Sequence, residues 1–490
     1  MSSPLPSLGT WARGLRTADV PHDVLRLARL QLAALAGSVR AGHATPAGAT
    51  LAGGRPLTLG GADGAGLLAG LGALYGWDDY LLAGRTGVGA GPVALAHASG
   101  HTVEDLVLAT VIGNEVGGRV GLALLLSPRH SRADTHATAA AAAAAAAWLA
   151  GRDGDGIARA IAGAVERGER LAPADIAASP EALGARPVRA AFDALSGGGK
   201  TDLLDEGSAF WAGLTDEPVH GAFGGLGSAW LTRTLVIKPY ATAPWAGVAV
   251  EAVDEILRRH VKAADKRLRA EQVEKIELRV NFLTWAADAA GAGIGGTSPV
   301  ANTWSLARAV GVLIARHSLS PADLTPDALT EKAADIEHVA SRVEVVHDWS
   351  LSIAAVEGIT RPLGATLAGR GPARLRQVRT RLKEAGGWPR WHADDLLPIL
   401  QARPDRILRE LRASPGDLGA VDLETFRWHL PVQVKLYTTR GGWWPERRAL
   451  PRGSVPTGDL ESIALARHGK DAALADASGA ADSWVRELLS

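Results

Sequence analysis

Leu235-Val236-Ile237-Lys238-Pro239-Tyr240 is where this chain changes character. The run is β-branched and punctuated by proline, so it reads as a short strand rather than a helix. Everything before it looks helical. Residues 10–37 place apolar side chains at helical spacing, with Pro21 opening a second helix and Gly37 closing it. Further helices are expected over 64–75, 90–98, 102–126, 135–151, 154–166 and 187–196. After the switch, Val273–Val280, Val343–Val346 and Val432–Tyr437 alternate as strands do, with helices 245–260, 302–316 and 326–341 between them. The pattern predicts a mainly α protein: a large all-α domain (1–236, with 457–490 packing back onto it) and a smaller α+β domain (237–456). This second domain carries an Arg-rich helical insertion at about 360–428, with helices expected over 374–385, 393–401 and 404–412. The tail is expected to be helical over 459–466 and 481–489.

Bulk properties narrow the partners. The chain has 490 residues, and Lys+Arg 52 balances Asp+Glu 52, so no global basic field exists to hold nucleic acid or an anionic membrane. A small-molecule substrate fits better. There are no cysteines, which excludes disulfides, thiolate metal sites and cysteine nucleophiles. The N-terminus, Met1-Ser2-Ser3-Pro4-Leu5-Pro6, lacks the basic patch and apolar run of a signal peptide, and the expected location is cytoplasmic. The Ala-rich run 137–150 is too short to span a bilayer of about 30 Å and reads as a close-packed helix.

The candidate chemistry centres on Leu74-Tyr75-Gly76-Trp77-Asp78-Asp79-Tyr80 and the following Leu81-Leu82-Ala83-Gly84-Arg85-Thr86-Gly87-Val88-Gly89. Adjacent carboxylates among Ala, Leu and Gly are costly to bury unless something pairs with them or uses them. The plainer alternative is that Asp78 and Asp79 cap the next helix or pair with Arg85. Neither glycine-rich segment keeps a phosphate-binding spacing: Ser196-Gly197-Gly198-Gly199-Lys200 is no P-loop, and Gly87-Val88-Gly89-Ala90-Gly91 reads as a flexible turn. His97 and His101 have the i, i+4 spacing of metal ligands, yet no carboxylate completes a set, so no metal site is expected.

The order of segments resembles the MmgE/PrpD family, which includes 2-methylcitrate dehydratase and cis-aconitate decarboxylase. The resemblance is carried by Val20-Pro21-His22-Asp23-Val24, Trp77-Asp78-Asp79-Tyr80, Gly113-Asn114-Glu115-Val116-Gly117-Gly118-Arg119 and the Ala-rich helix after His136. Later come Lys238-Pro239-Tyr240, Trp304-Ser305-Leu306-Ala307-Arg308-Ala309-Val310 and Arg342-Val343-Glu344-Val345. It covers roughly 10–350 and 430–490. It implies a helical domain with an α+β lid, a homodimer, and a cofactor-independent lyase that removes water or carbon dioxide from a small polycarboxylate. Such chemistry needs an acid or base beside a carbon next to a carboxylate, and cations to hold charge.

Departures from the family pattern suggest altered chemistry. Tyr80 replaces a threonine, Arg85-Thr86-Gly87 stands where the family has His-Pro-Ser, and Ala243 falls near a missing histidine. Arg308 replaces a tyrosine, and a lysine expected near 176–186 has at best Arg186 in its place. The resemblance leaves Asp78, Asp79, Lys238 and either His130 or His136 as catalytic candidates. Trp77, Tyr80, Arg85, Thr86, Arg132, Tyr240, Trp304 and Arg308 are the candidate substrate contacts. Fifteen tryptophans against five phenylalanines suit an aromatic-lined pocket for a larger, less charged substrate, although most will fill core positions. The expected activity is an acid/base lyase or isomerase, possible cyclases included, acting on a small organic acid or a secondary-metabolite intermediate. The other reading is a non-catalytic relative that keeps the fold and dimer as a binding or structural protein.

Overall fold

A computed structural model describes residues 3–125, 130–168, 175, 178–212, 214–215, 218–292, 299–367, 416–468 and 479–490. The protein is mainly α. Its longer helices are α1 (Pro4–Gly14), α2 (His22–His43), α3 (Gly61–Ala73), α4 (Gly87–Ala96), α5 (Val103–Ala123), α6 (His130–Leu149), α7 (Gly154–Glu166) and α8 (Ala182–Gly197). These are followed by α9 (Gly247–Ala264), α10 (Phe282–Ala292), α11 (Leu306–Arg316), α12 (Ala333–Ala340), α13 (Trp349–Leu367), α14 (Leu460–His468) and α15 (Ala481–Leu489). The expected insertion helices at 374–385, 393–401 and 404–412 lie outside the described residues.

Local chemistry explains several boundaries. Thr102 and Asp105 form a reciprocal capping box at the start of α5, and Asp153 caps α7 by accepting from the Gly156 amide at 2.7 Å. Ser305 caps α11 through the Arg308 amide, which divides the single helix expected over 302–316. Likewise 326–341 breaks at Lys332. Two glycine readings are overturned by packing. Gly37 does not close α2, which continues to His43 with Val39 buried. Gly87–Gly91 is no flexible turn but the buried opening of α4, because Gly89 lies against the Thr138 carbonyl and Gly91 against Leu35.

The helical core is built on small residues. Every alanine from Ala139 to Ala147 on α6 is fully buried, so this stretch of the helix is internal. Gly113, Gly117 and Gly121 on α5 admit close approach: a Cβ on Gly117 would fall 2.5 Å from the Ala137 carbonyl. Helix α5 is long and apolar enough to cross a bilayer, but it is wholly buried among its neighbours. Trp484, Val485, Leu488 and Leu489 of α15 join the same core.

A second core gathers α9 and α11 against strands β3 (Val273–Val280), β4 (Val343–His347) and β5 (Val432–Thr438). With β6 (Trp443–Arg448) they form a four-stranded sheet of order β4-β3-β5-β6. β3 runs parallel to β4 and antiparallel to β5, and β5 is antiparallel to β6. The expected strand at 235–240 shrinks to β2 (Val236–Ile237), which pairs with β1 (Asp79–Tyr80) rather than with the larger sheet.

That small ladder positions the site. Leu74 and Tyr75 pack in the second core, Leu82, Ala83 and Val88 in the first, and Leu81 in a third cluster with Leu235, Ile237 and residues of α2 and α14. The 231–243 segment makes the same passage, from Leu231 in the first core to Ala241 and Ala243 in the second. The two aspartates therefore sit where all three clusters meet.

Candidate active site

The β1–β2 register sets Asp79 opposite Ile237 and brings Lys238 beside Asp78. Gly76, at φ +62°, supplies the left-handed turn before the aspartates, a conformation that side chains with a Cβ resist. Its carbonyl accepts from Lys238 Nζ, which also donates to the Thr242 carbonyl at 2.6 Å and to Asp78 Oδ1 at 3.2 Å. Asp78 Oδ2 accepts from Arg85 Nε. The Asp78–Arg85 pairing read from sequence is thus present, while neither aspartate caps α4, whose N-cap is Thr86.

The neighbouring carboxyls have opposite environments. Burial pushes Asp78 up, but the Arg85 and Lys238 charges and hydrogen bonds overcome it and hold the group down at about 2. Burial also pushes Asp79 up, and its main opposing contact is one Gln31 hydrogen bond at 3.0 Å, so Asp79 rises to about 6. The Asp78 charge adds to that rise. Burial lowers Lys238 to about 8 despite its attraction to Asp78. Arg467, on α14, completes the group: Nη1 donates to the Trp77 carbonyl at 2.7 Å, Nη2 to the Lys238 carbonyl, and the guanidinium lies 4.7 Å from the Trp77 ring centre.

Asp79 is held from behind as well. Gln31 Nε2 reaches its Oδ1, Asn114 Nδ2 reaches Gln31 Oε1 at 2.7 Å, and Thr86 Oγ1 lies 2.7 Å from Asn114 Oδ1. Gly87 presses on the carboxyl: a Cβ there would fall 2.2 to 2.5 Å from its three atoms.

Several expected site residues have other settings. Thr86 is fully buried and donates to Asn114 Oδ1 at 2.7 Å. Tyr80 packs edge-on to Trp428 at 5.3 Å. Tyr240 is pushed up by burial and by Asp254, and Trp304 stands edge-on to Trp245 at 5.9 Å. Arg308 joins Asn302 at 3.1 Å and Glu337 at 3.2 Å and is half-exposed. His136 contacts the Val165 carbonyl at 2.9 Å and the Phe210 ring. His130 opens α6, but the side chains of His130 and Arg132 lie outside the described residues.

Sequence reasoning missed Arg467 and Gln31. Gln31 had a signal, a lone amide inside the apolar run Leu30-Gln31-Leu32-Ala33. Arg467 had none. Glu251 on α9 was missed too: burial pushes it up to about 7, and it accepts from the Arg452 amide at 2.9 Å. Among the described residues, no group of three or more His, Asp or Glu could hold a metal ion.

A second buried ion pair provides a contrast. Glu115 on α5 accepts from Arg119 Nη1 at 2.6 Å, the Leu231 and Thr232 amides at 2.9 Å each, and Thr232 Oγ1 at 2.8 Å. Four donors saturate that carboxylate.

No protein-family model matches the chain, and no curated protein is significantly similar to it.

Proposed function

We propose that this protein is a divergent MmgE/PrpD-type enzyme, a cofactor-independent lyase or isomerase acting on a small organic acid or biosynthetic intermediate. The observation that carries the reading is the split between the two aspartates. Adjacent acids driven apart in proton affinity are the arrangement that assigns acid/base roles in enzymes. With its pKa near 6, Asp79 has both protonation states within reach at neutral pH, as a proton-transfer catalyst requires. Asp78 stays ionised and holds Arg85 and Lys238 in place.

In an elimination, carboxylate Asp79 takes a proton from carbon, the C–H electron pair becomes the new double bond, and the departing group leaves with its own pair. Lys238 and Arg467 are the cations close enough to favour the negative charge that develops. In an isomerisation, Asp79 returns the proton to a different carbon. Both aspartates and Lys238 are nearly fully buried, so substrate entry requires the packing around them to open. That same burial is what favours the second reading, a non-catalytic binding or structural protein. We extend the proposal to a homodimer on the family resemblance and to a cytoplasmic location on the composition of the N-terminal residues.

A panel of small organic acids incubated with the protein in deuterated buffer and followed by proton NMR tests this. The expected result is deuterium uptake or loss of water or carbon dioxide for at least one acid, reduced roughly 100- to 10,000-fold in Asp79→Asn. Turnover of 2-methylcitrate and cis-aconitate should stay far below about 10 per second, because Arg85, Ala243 and Arg308 cannot replace the missing proton-transfer groups. Ligands that raise the melting temperature without any exchange would identify a binding protein instead.

A further inference from the structure

The amides behind Asp79 have a direction. Thr86, Asn114 and Gln31 are all essentially inaccessible to water, so each must satisfy its polar atoms locally. A carboxamide has one accepting and one donating side. With the Thr86 hydroxyl donating to Asn114 Oδ1, the Asn114 amino group faces Gln31 Oε1, and this turns the Gln31 amino group toward Asp79 Oδ1. Each group thus has a donor facing the next toward the carboxyl, while Gln31 Nε2 also donates back to Asn114 Oδ1 at 3.4 Å and so ties the two amides into a pair of fixed orientation. A proton on Oδ1 would meet the Gln31 donor, so it belongs on Oδ2. Gly87 leaves room for the carboxyl in this pose, since any Cβ there would displace it.

We propose that Gln31, Asn114 and Thr86 are positioning residues that form an oriented donor relay, fixing the Asp79 carboxyl and confining its exchangeable proton to Oδ2. The proposal rests on reading Asp79 as the proton carrier. Gln31 supports the carboxylate form directly, and Asn114 and Thr86 act only by keeping Gln31 from turning over. Buried amides that merely satisfied one another would contribute to stability without governing how Asp79 titrates.

The test is an infrared pH titration of the full chain, following the carboxylic-acid carbonyl band that Asp79→Asn removes. Gln31→Met keeps the shape and removes the donor, and should raise the midpoint of this band by about one pH unit. Asn114→Leu touches no atom of Asp79 yet should shift it in the same direction. Thr86→Val, which removes only the far end of the relay and no helix cap, should give a smaller rise and remains available if the core variants fail to fold. Folded variants whose midpoints stay at the wild-type value, or fall, overturn the relay. A wild-type midpoint in the ordinary carboxylate range would instead count against the proton carrier, and the relay would still be judged by whether the variants shift it.

Discussion

Glu115 and Asp79 are both carboxylates sealed from water close to arginines, yet the fold treats them differently. Glu115 receives four donors from its own helix and the 231–232 turn. Asp79 receives one side-chain amide, and the nearby cations are spent on its neighbour Asp78 or on backbone carbonyls. A saturated buried ion pair is a structural fixture, costly to break. An undersupplied carboxyl is held where losing its proton is unfavourable, and that makes it able to exchange one.

The largest expected effect lies on the saturated side. Glu115→Ala should destabilise the protein by about 3–5 kcal/mol in denaturant unfolding, because it leaves Arg119 buried without its counter-charge. A loss below about 1 kcal/mol would mean that donor count does not distinguish the two clusters.

The next effect belongs to Asp79 and has a definite sign. Its folded pKa, about 6, lies above the ordinary aspartate value of 3.8, so between these values the folded state binds more protons. Stability from this group is fully present below about 3.8 and is lost as pH rises through about 6, a change of about 3 kcal/mol. Asp78 runs the other way: its contribution is present above 3.8 and is lost as pH falls through about 2. Unfolding measured across the Asp79 window should show the decline in wild type and not in Asp79→Asn.

The smallest effect is at Arg308, which a family resemblance places among the substrate contacts. Its pairing with Glu337 is half-exposed, so Arg308→Ala should cost about 1 kcal/mol or less. Turnover on whatever substrate the panel identifies should be unchanged. Loss of activity with the fold intact would return Arg308 to the site.

Legibility in the sequence followed the range of the contacts. α7, β3 and α15 have the bounds that periodicity and capping predict, because their signals are local. β6 was missed: Trp443-Trp444-Pro445-Glu446-Arg447-Arg448 carries a proline and charges, tolerable only on an edge strand. Gly87–Gly91 misled because glycine's local preference for turns yields to close packing with α2 and α6. In the site, Asp78 and Arg85 were readable as a short-range pair. Gln31 and Arg467 come from opposite ends of the chain, and no local pattern in the sequence announces that the fold will set them on either side of the same two aspartates.

The most direct test compares Asp78→Asn with Asp79→Asn by denaturant unfolding at pH 7. Asp78→Asn should lose about 3 kcal/mol or more, since Arg85 and Lys238 lose their shared counter-charge. Asp79→Asn should match or exceed wild-type stability, since it removes a buried charge that the fold undersupplies with donors. Equal losses in the two variants would contradict the division of labour between these neighbours.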